Sequence, residues 1–478
     1  MQSSTITWGS VPEDNRLVVA FALLGAILAA SALYTPLPLV LLIGIPASLY
    51  FISRPYELLL AMVFLIPFNF VFRIGPIPVA VELLKVFAWI PLLVHLRARK
   101  QPFKTSRYNW CFAVLAALLF LSIFRSHDLP FTLKESIRLG SNIGLCYLAL
   151  NLVDSREKVF QIFRVLAFST FLVACYGFYQ FAIKDFGGLF WIVNPRIDTA
   201  LAHGRDTFWE WRDRITSVFR SEMELADYFN LCLPVGVVLW LTEGRKRIGS
   251  RWLLMTVAIL AGLLFTFTFG AWLSLVATTG LFAILVDTKR WWKMVLAGAL
   301  ALALFAIVFT VGPFRPLIED RVGQMAFDAA TRLDGWGLAW SAFRSHPMLG
   351  IGYGNFPSLT LGSLEWITQE WVPSGSSPHN FYFYLLSELG LVGLVSIVFI
   401  FISTVRANIQ LRSTHALGYI GLALSFALTT ALIDGFSDDS ALYGPHAGYL
   451  LWLFIGMSEA VRNLSEPMFG IRRLGATQ

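Results

Sequence analysis

One histidine stands where its side chain could do chemistry. His379 lies in the stretch "SSPHNFYFYLLSELGLVG", residues 376 to 393, directly before a long apolar run. Ser376 or Ser377 is expected to cap a helix that begins here, and Pro378 fits the first helical position. Because a helix N-terminus disfavours a protonated imidazole, we expect His379 to be mostly neutral near pH 7. The residue is therefore either a general base or only part of a helix cap.

Two polar segments of the chain carry cations that are almost all arginines. A guanidinium holds phosphate or carboxylate oxygens through a planar fork, so arginines beside a membrane suit a pyrophosphate or another anion. The alternative is that most of them pair with the acidic residues of the same segments. These cations are Lys184, Arg196, Arg205, Arg212, Arg214, Arg220, Arg315, Arg321, Arg332 and Arg344.

The elements that must position these residues are membrane helices. Of the 478 residues, 56% are hydrophobic and only 14% are charged, whereas soluble domains have about 25% charged residues. Apolar runs of about 17 to 25 residues recur along the chain, each long enough to cross a bilayer. The composition predicts an all-α polytopic bundle of about 12–14 transmembrane helices, forming one domain over residues 1–478.

The distribution of basic residues predicts the orientation of this bundle. The loops "RARKQPFKTSR", "EGRKRIGSR" and "TKRWWK" are basic, whereas "YTPLP" and "DGFSDDSALYG" lack Lys and Arg. The positive-inside rule then places the basic loops and both termini in the cytoplasm. Two long loops, residues 184–222 and 313–380, fall on the periplasmic side. Their Trp, Phe and Pro content disfavours disorder, so we expect them to fold over the bundle, the larger one with short amphipathic helices.

Further motifs near the predicted outer face are expected to be structural rather than catalytic. In "TRLDGWGLAWSAFRSHPMLGIGYGNF", residues 331 to 356, the aromatic residues recur at helical spacing, which predicts an amphipathic helix that ends at "SHPMLG". The "GIGYGNF" that follows is predicted to be a tight turn, because no strand precedes it and no Lys-Ser/Thr pair follows. The acidic "DGFSDD", residues 434 to 439, could hold a cation, but a solvated turn is favoured.

Three blocks together resemble a known family. "RITSVFRSEMELADYFNLCLP" (214 to 234), the block from 331 to 356 and "PHNFYFYLLSELGLVGL" occur in the order and spacing typical of the O-antigen ligase and polymerase superfamily of bacterial inner-membrane proteins. The resemblance covers residues 214–461 in motif and the rest of the chain only in topology.

The resemblance implies a reaction and roles for particular residues. Its members move a glycan from an undecaprenyl-pyrophosphate carrier to an acceptor hydroxyl at the periplasmic face, without a metal or cofactor. Mapped by motif, the base is His379, and Arg214, Arg332 and, less firmly, Arg220 hold the pyrophosphate. Asn380 and Glu388 match the block and could either orient the histidine or pack the helix.

The resemblance leaves the acceptor and one departure open. The acceptor could be another glycan, lipid A-core or a protein, and the implied partners are membrane lipids but no nucleic acid. Family members often carry an arginine in a "SRGAW"-like segment, whereas this chain reads "TFGAW" with Phe269 at that place. The competing function is a membrane transporter or anion-binding protein, which paired intramembrane charges such as Glu82 and Lys85 would support.

Overall fold

The structure is a computed structural model of the chain, and it is an α-helical membrane protein. It describes residues 50–71, 73–74, 77–78, 80–183, 214–219, 221–243, 249–286, 315–363, 377–413, 415–439 and 446–475. Within these ranges the chain is helical apart from turns and one small antiparallel hairpin, in which Ile74 pairs with Ile77. The predicted all-α class is confirmed.

The helices follow the apolar runs of the sequence. In chain order they are α1 (Pro55–Leu65), α2 (Ala80–Phe87), α3 (Trp89–Ala98), α4 (Asn109–Phe124), α5 (Leu129–Leu152), α6 (Arg156–Ile183), α7 (Glu222–Glu243), α8 (Gly249–Phe265), α9 (Phe269–Val286), α10 (Arg315–Ser345), α11 (Phe356–Ser363), α12 (Phe381–Gln410), α13 (His415–Asp434) and α14 (Ala447–Gly475). The strands of the hairpin between α1 and α2 are β1 (Arg73–Ile74) and β2 (Ile77–Pro78).

Four helices in the described ranges are long and apolar enough to cross a membrane. They are α6, α7, α12 and, from Leu417, α13. In α7 the most apolar window is 78% buried by the rest of the protein, so this helix is surrounded by protein rather than by lipid. It packs against α6, α8 and α13, while α14 packs against α5. The sequence also predicts spans near 17–34, 37–53 and 293–312, and these lie largely or wholly outside the described residues.

The predicted outer segment between α9 and α12 contains one long and one short helix. α10 has 31 residues and ends at Ser345, as the "SHPMLG" sequence predicts, and α11 has eight. α10 packs against α12. The helix therefore joins the bundle at the end of α12 where His379 lies.

The side chain of Glu82, which belongs to the predicted intramembrane ion pair, lies outside the described part of the chain. Its predicted partner Lys85 is almost fully buried and donates a hydrogen bond to Asn142 Oδ1 at 2.8 Å. The Lys85 ammonium also lies 3.8 Å from the ring centroid of Tyr449. These contacts join α2, α5 and α14 within the bundle.

Candidate active site

The N-terminus of α12 is capped by a residue other than the predicted one. α12 begins at Phe381, and the Asn380 side chain accepts hydrogen bonds from the N–H groups of Tyr382 and Phe383, both at 3.0 Å. The expectation that Ser376 or Ser377 caps this helix, with Pro378 as its first residue, was therefore wrong. An asparagine oxygen satisfies these free N–H groups as well as a serine does.

His379 occupies a strained backbone conformation just before this cap. Its φ is +46°, in the left-handed region, which costs a non-glycine residue about 1–3 kcal/mol and persists only where the surroundings impose it. The turn is held by bonds to the segment after α13. Phe381 N–H donates to Gly435 O at 2.8 Å, and Asn380 Nδ2 donates to Phe436 O at 3.0 Å.

These hydrogen bonds bring His379 next to an acidic residue of the segment after α13. His379 Nδ1 lies 3.7 Å from Asp438 Oδ1, and the same oxygen accepts a hydrogen bond from Asp439 N–H at 2.8 Å. Asp438 raises the pKa of the His379 imidazole above its ordinary value, against the opposing effects of burial and of Arg332. The expectation of a mostly neutral histidine considered only the helix N-terminus, whereas the Asp438 carboxylate acts on the pKa of the imidazole in the opposite direction.

Asp439 completes a compact group around the imidazole. Ser377 Oγ donates to Asp439 Oδ1 at 3.0 Å, whereas Oδ2 is buried and has no hydrogen-bond partner among the described residues. Burial and the neighbouring Asp438 raise the pKa of the Asp439 carboxyl. Asp434, Asp438 and Asp439 are only 4%, 7% and 4% exposed. The favoured reading of "DGFSDD" as a solvated turn was therefore wrong.

α10 brings a cation to this group. Arg332 Nη1 donates to the backbone oxygen of Ser437, the residue before Asp438. One turn along α10, a Cβ placed on Gly335 would lie 3.3 Å from Pro378 Cα, so the helix touches the histidine turn directly. Trp336 stacks on Phe383 with ring centroids 5.6 Å apart. Arg332 and His379 thus contribute to the same end of the bundle, while their roles toward a substrate stay predictions.

The second predicted arginine lies deeper and is engaged by protein groups. Arg214 is buried, with Nη1 2.6 Å from Glu222 Oε1 and Nε donating to Thr266 O at 2.9 Å. Its Nη2 donates to Thr268 Oγ1 at 3.2 Å. In this arrangement the guanidinium fixes the connection between α8 and α9. Its role toward a pyrophosphate stays a prediction, and Arg220 lies outside the described residues.

The α8–α9 connection links Arg214 to the histidine group. A Cβ placed on Gly270 would lie 2.5 Å from Ser437 Oγ, so the start of α9 lies directly against the segment that carries Asp438. Phe269, which stands where the resemblance led us to expect an arginine, contacts Trp272 with ring centroids 5.1 Å apart. This position thus carries a phenyl ring where the resemblance implied a cation.

Glu388 supports the site without facing the imidazole. Its carboxylate accepts hydrogen bonds from Gly354 N–H at 2.9 Å and Phe356 N–H at 2.8 Å. Both amides belong to the "GIGYGNF" turn, and Gly352 N–H donates to the backbone oxygen of Glu388. Because these amides are already bonded, the turn is not a phosphate-binding loop. Of the two readings for Glu388, the contacts favour packing of the helix.

Comparison with known proteins gives two matches. A family model described as O-antigen ligase matches residues 254–398. An O-antigen ligase from Salmonella typhimurium is 28% identical over 249 residues, which are 49% of this chain and 60% of that protein. Both matches support the O-antigen ligase superfamily. The resemblance inferred from the three motif blocks is confirmed.

The O-antigen ligase match covers the site only in part. Residues 254–398 include Arg332 and His379, whereas Arg214 and Asp438 lie outside that range. Together, the family match and the apolar helices identify a bacterial membrane protein. The stretch that this chain shares with the Salmonella ligase amounts to 60% of the length of that protein.

The sequence did not predict that two residues lie beside His379. Asp438 and Asp439 were considered as a possible cation site, with a solvated turn favoured. They were not linked to His379, because they follow it by 59 and 60 positions in the numbering and nothing nearby points to the histidine. The available signal was their position. Adjacent aspartates at the outer end of an apolar span are costly unless they have partners, and a histidine at the outer end of another span is one.

Proposed function

We propose that this protein transfers a glycan from an undecaprenyl-pyrophosphate carrier to an acceptor hydroxyl at the periplasmic face of the bacterial inner membrane, with both termini in the cytoplasm. The observation that carries the proposal is the proximity of His379 to Asp438, beside Arg332, at one end of a helical bundle. A base held by a carboxylate next to a fixed cation suits a reaction with an anionic leaving group.

In the proposed reaction His379 is the general base. Asp438 faces Nδ1, so it favours the tautomer with the proton on that nitrogen and leaves the Nε2 lone pair free. Nε2 takes the proton of the acceptor hydroxyl while the hydroxyl oxygen bonds to the anomeric carbon. The bond from that carbon to the pyrophosphate breaks, and its electron pair leaves with the lipid pyrophosphate. Asp438 stabilises the imidazolium that forms.

Fixed positive charge assists the departure of the leaving group. Arg332 reaches the segment beside His379 through its bond to Ser437 O, and its remaining N–H groups can donate to phosphate oxygens. Donors already in place stabilise charge that develops in the transition state without reorganising. Arginines in this role supply what a divalent ion would supply, so we propose that transfer requires no metal. The acceptor is a glycan, lipid A-core or a protein.

Deletion of the gene followed by analysis of surface glycans tests this function. Accumulation of lipid-linked polymer with loss of polymer from lipid A-core would indicate a ligase, and single repeat units on the core would indicate a polymerase. Loss of glycan from a protein would indicate protein glycosylation. Unchanged glycans would contradict the proposal.

Complementation of that deletion tests the role of the histidine. We expect His379→Ala to abolish restoration of the glycan although the protein is inserted in normal amounts. His346→Ala is the matched control, because His346 is an exposed histidine of the same outer segment. Full restoration by the His379 variant would show that this residue only shapes the turn.

A further inference from the structure

The site around His379 has the composition and size of a metal-binding cluster. His379, Asp438 and Asp439 each offer a ligand atom, and these atoms all lie within 4.8 Å of one another. Imidazole nitrogen with carboxylate oxygens is a ligand set that Zn²⁺ accepts, and sites with three protein ligands leave a fourth position for water. The two aspartates are nine-tenths buried or more.

Two atoms in this cluster lack the hydrogen bonds expected of buried polar groups. Neither His379 Nδ1 nor Asp439 Oδ2 has a hydrogen-bond partner among the described residues. The 3.7 Å from His379 Nδ1 to Asp438 Oδ1 is too long for a hydrogen bond. Two ligands bound at about 2.1 Å to one tetrahedral ion lie about 3.4 Å apart. The spacing is therefore closer to that of two ligands around an ion than to that of a donor and its acceptor.

We propose that His379, Asp438 and Asp439 bind a divalent transition-metal ion of the Zn²⁺ type, and that an ion bound there blocks the site. Metal binding is inferred from the geometry of the three side chains alone, whereas inhibition of transfer rests on the proposed function. The ion relieves the repulsion between two adjacent buried carboxylates and satisfies both orphaned atoms. Mg²⁺ is excluded in practice, because it prefers oxygen ligands in an octahedral arrangement and keeps several waters.

The block follows from the two nitrogens of one imidazole. A metal on Nδ1 uses that lone pair and leaves the ring proton on Nε2. Nε2 is the atom that must accept the proton of the acceptor hydroxyl, and with a proton already on it the ring cannot act as a base. The ion also binds Asp438, whose carboxylate would otherwise stabilise the imidazolium. Zn²⁺ therefore inhibits transfer by occupying the base rather than by competing for the lipid substrate.

Zinc binding to the purified full-length chain in lipid nanodiscs tests the first half. After equilibrium dialysis against ZnCl₂, the wild type should retain one more ion per chain than His379→Ala or Asp439→Asn, with affinity in the variants weaker by at least about tenfold. His346→Ala should bind as the wild type does. Thermal unfolding of each variant in nanodiscs checks that a loss of zinc is not a loss of fold. Equal zinc binding by the wild type and both cluster variants would overturn the proposal.

Transfer assays in proteoliposomes test the second half. Zn²⁺ should inhibit the wild type, a chelator should restore the rate, and Mg²⁺ at the same concentration should have no effect. In Asp439→Asn, whatever its basal rate, the Zn²⁺ concentration for half inhibition should rise by about tenfold or more. Site-specific binding without inhibition would overturn the block. If the wild type transferred no glycan under any condition, the proposed function would fail while the dialysis result would stand.

Discussion

At the scale of single residues, the imidazole of His379 lies between opposite charges. Asp438 raises its pKa, while burial and Arg332 lower it. The two neighbours also make different contacts, since the Asp438 carboxylate lies 3.7 Å from Nδ1 and the Arg332 guanidinium donates to Ser437 O. A general base works only when deprotonated, so the acid limb of the rate profile reports the balance between these neighbours.

Replacing Asp438 by asparagine should move this acid limb. Because the carboxylate raises the pKa of His379, its loss lowers that pKa and shifts the limb to lower pH. The maximal rate should fall by about 10²–10⁴-fold, because the imidazolium loses its partner and the tautomer is no longer fixed. The measurement is the pH dependence of glycan transfer in proteoliposomes. An unmoved limb would argue against the pairing, and Asp334→Asn, at an exposed position of α10, should behave as the wild type.

Replacing Arg332 by glutamine should shift the same limb in the opposite direction. The guanidinium lowers the pKa of His379, so without it that pKa rises and the limb moves to higher pH. Transfer should also slow by about tenfold or more at every pH, because a donor to the leaving group is lost. Arg344→Gln at the exposed end of the same helix is the control. A slower rate with no shift would separate the two roles and leave only the donor.

At the scale of elements, one backbone crossing sets where α10 and α12 meet. Gly350 and Gly390 both have φ of +65°. A Cβ on Gly350 would lie 2.3 Å from the Glu388 carbonyl, and one on Gly390 would lie 2.5 Å from the Met348 carbonyl. Around them Leu391 N–H donates to Pro347 O at 2.9 Å. The crossing therefore sets the position of the outer segment, including Arg332, relative to the histidine turn.

Alanine at Gly390 should unfold this junction. The substitution forces a left-handed conformation on alanine, which costs about 1–3 kcal/mol, and adds a clash with backbone atoms that cannot move aside. We expect a lower unfolding temperature in detergent and a loss of protein from the membrane. Gly337→Ala on α10 is the matched control, since nothing lies within 4 Å of its added Cβ. That change should be neutral or stabilise by about 0.5–1 kcal/mol. Equal stability of the two variants would contradict the crossing.

At the scale of the whole molecule, the sequence predicted what depends on local pattern. Length and hydropathy predict spans near 159–183, 223–242, 381–404 and 415–433, which lie close to the bounds of α6, α7, α12 and α13. The surroundings of His379 were not predicted, because they depend on residues far away in the sequence. Its charge depends on Asp438, and the two meet only because hydrogen bonds from Asn380 and Phe381 join the turn to the segment after α13. No local pattern encodes a contact between segments so far apart.

The orientation of the molecule can be tested with cysteine labelling. In a chain whose four native cysteines are replaced by serine or alanine, Ser341→Cys on α10 should react with a membrane-impermeant maleimide in cells with a permeabilised outer membrane. Gln101→Cys, in the connection between α3 and α4, should react only after lysis. Both positions are exposed. Labelling of Gln101→Cys in intact inner membranes would reverse the predicted orientation.

The bonds between the histidine turn and the segment after α13 also impose an order on biosynthesis. His379 leaves the ribosome well before Gly435, Phe436 and Asp438 are made, so its turn emerges without the groups that hold it. Only after α13 has been inserted can these residues reach the turn and force its backbone into the strained conformation. A partly synthesised chain therefore carries the histidine but not its partner. The turn around His379 therefore acquires its hydrogen bonds and its acidic neighbour near the end of assembly in the membrane.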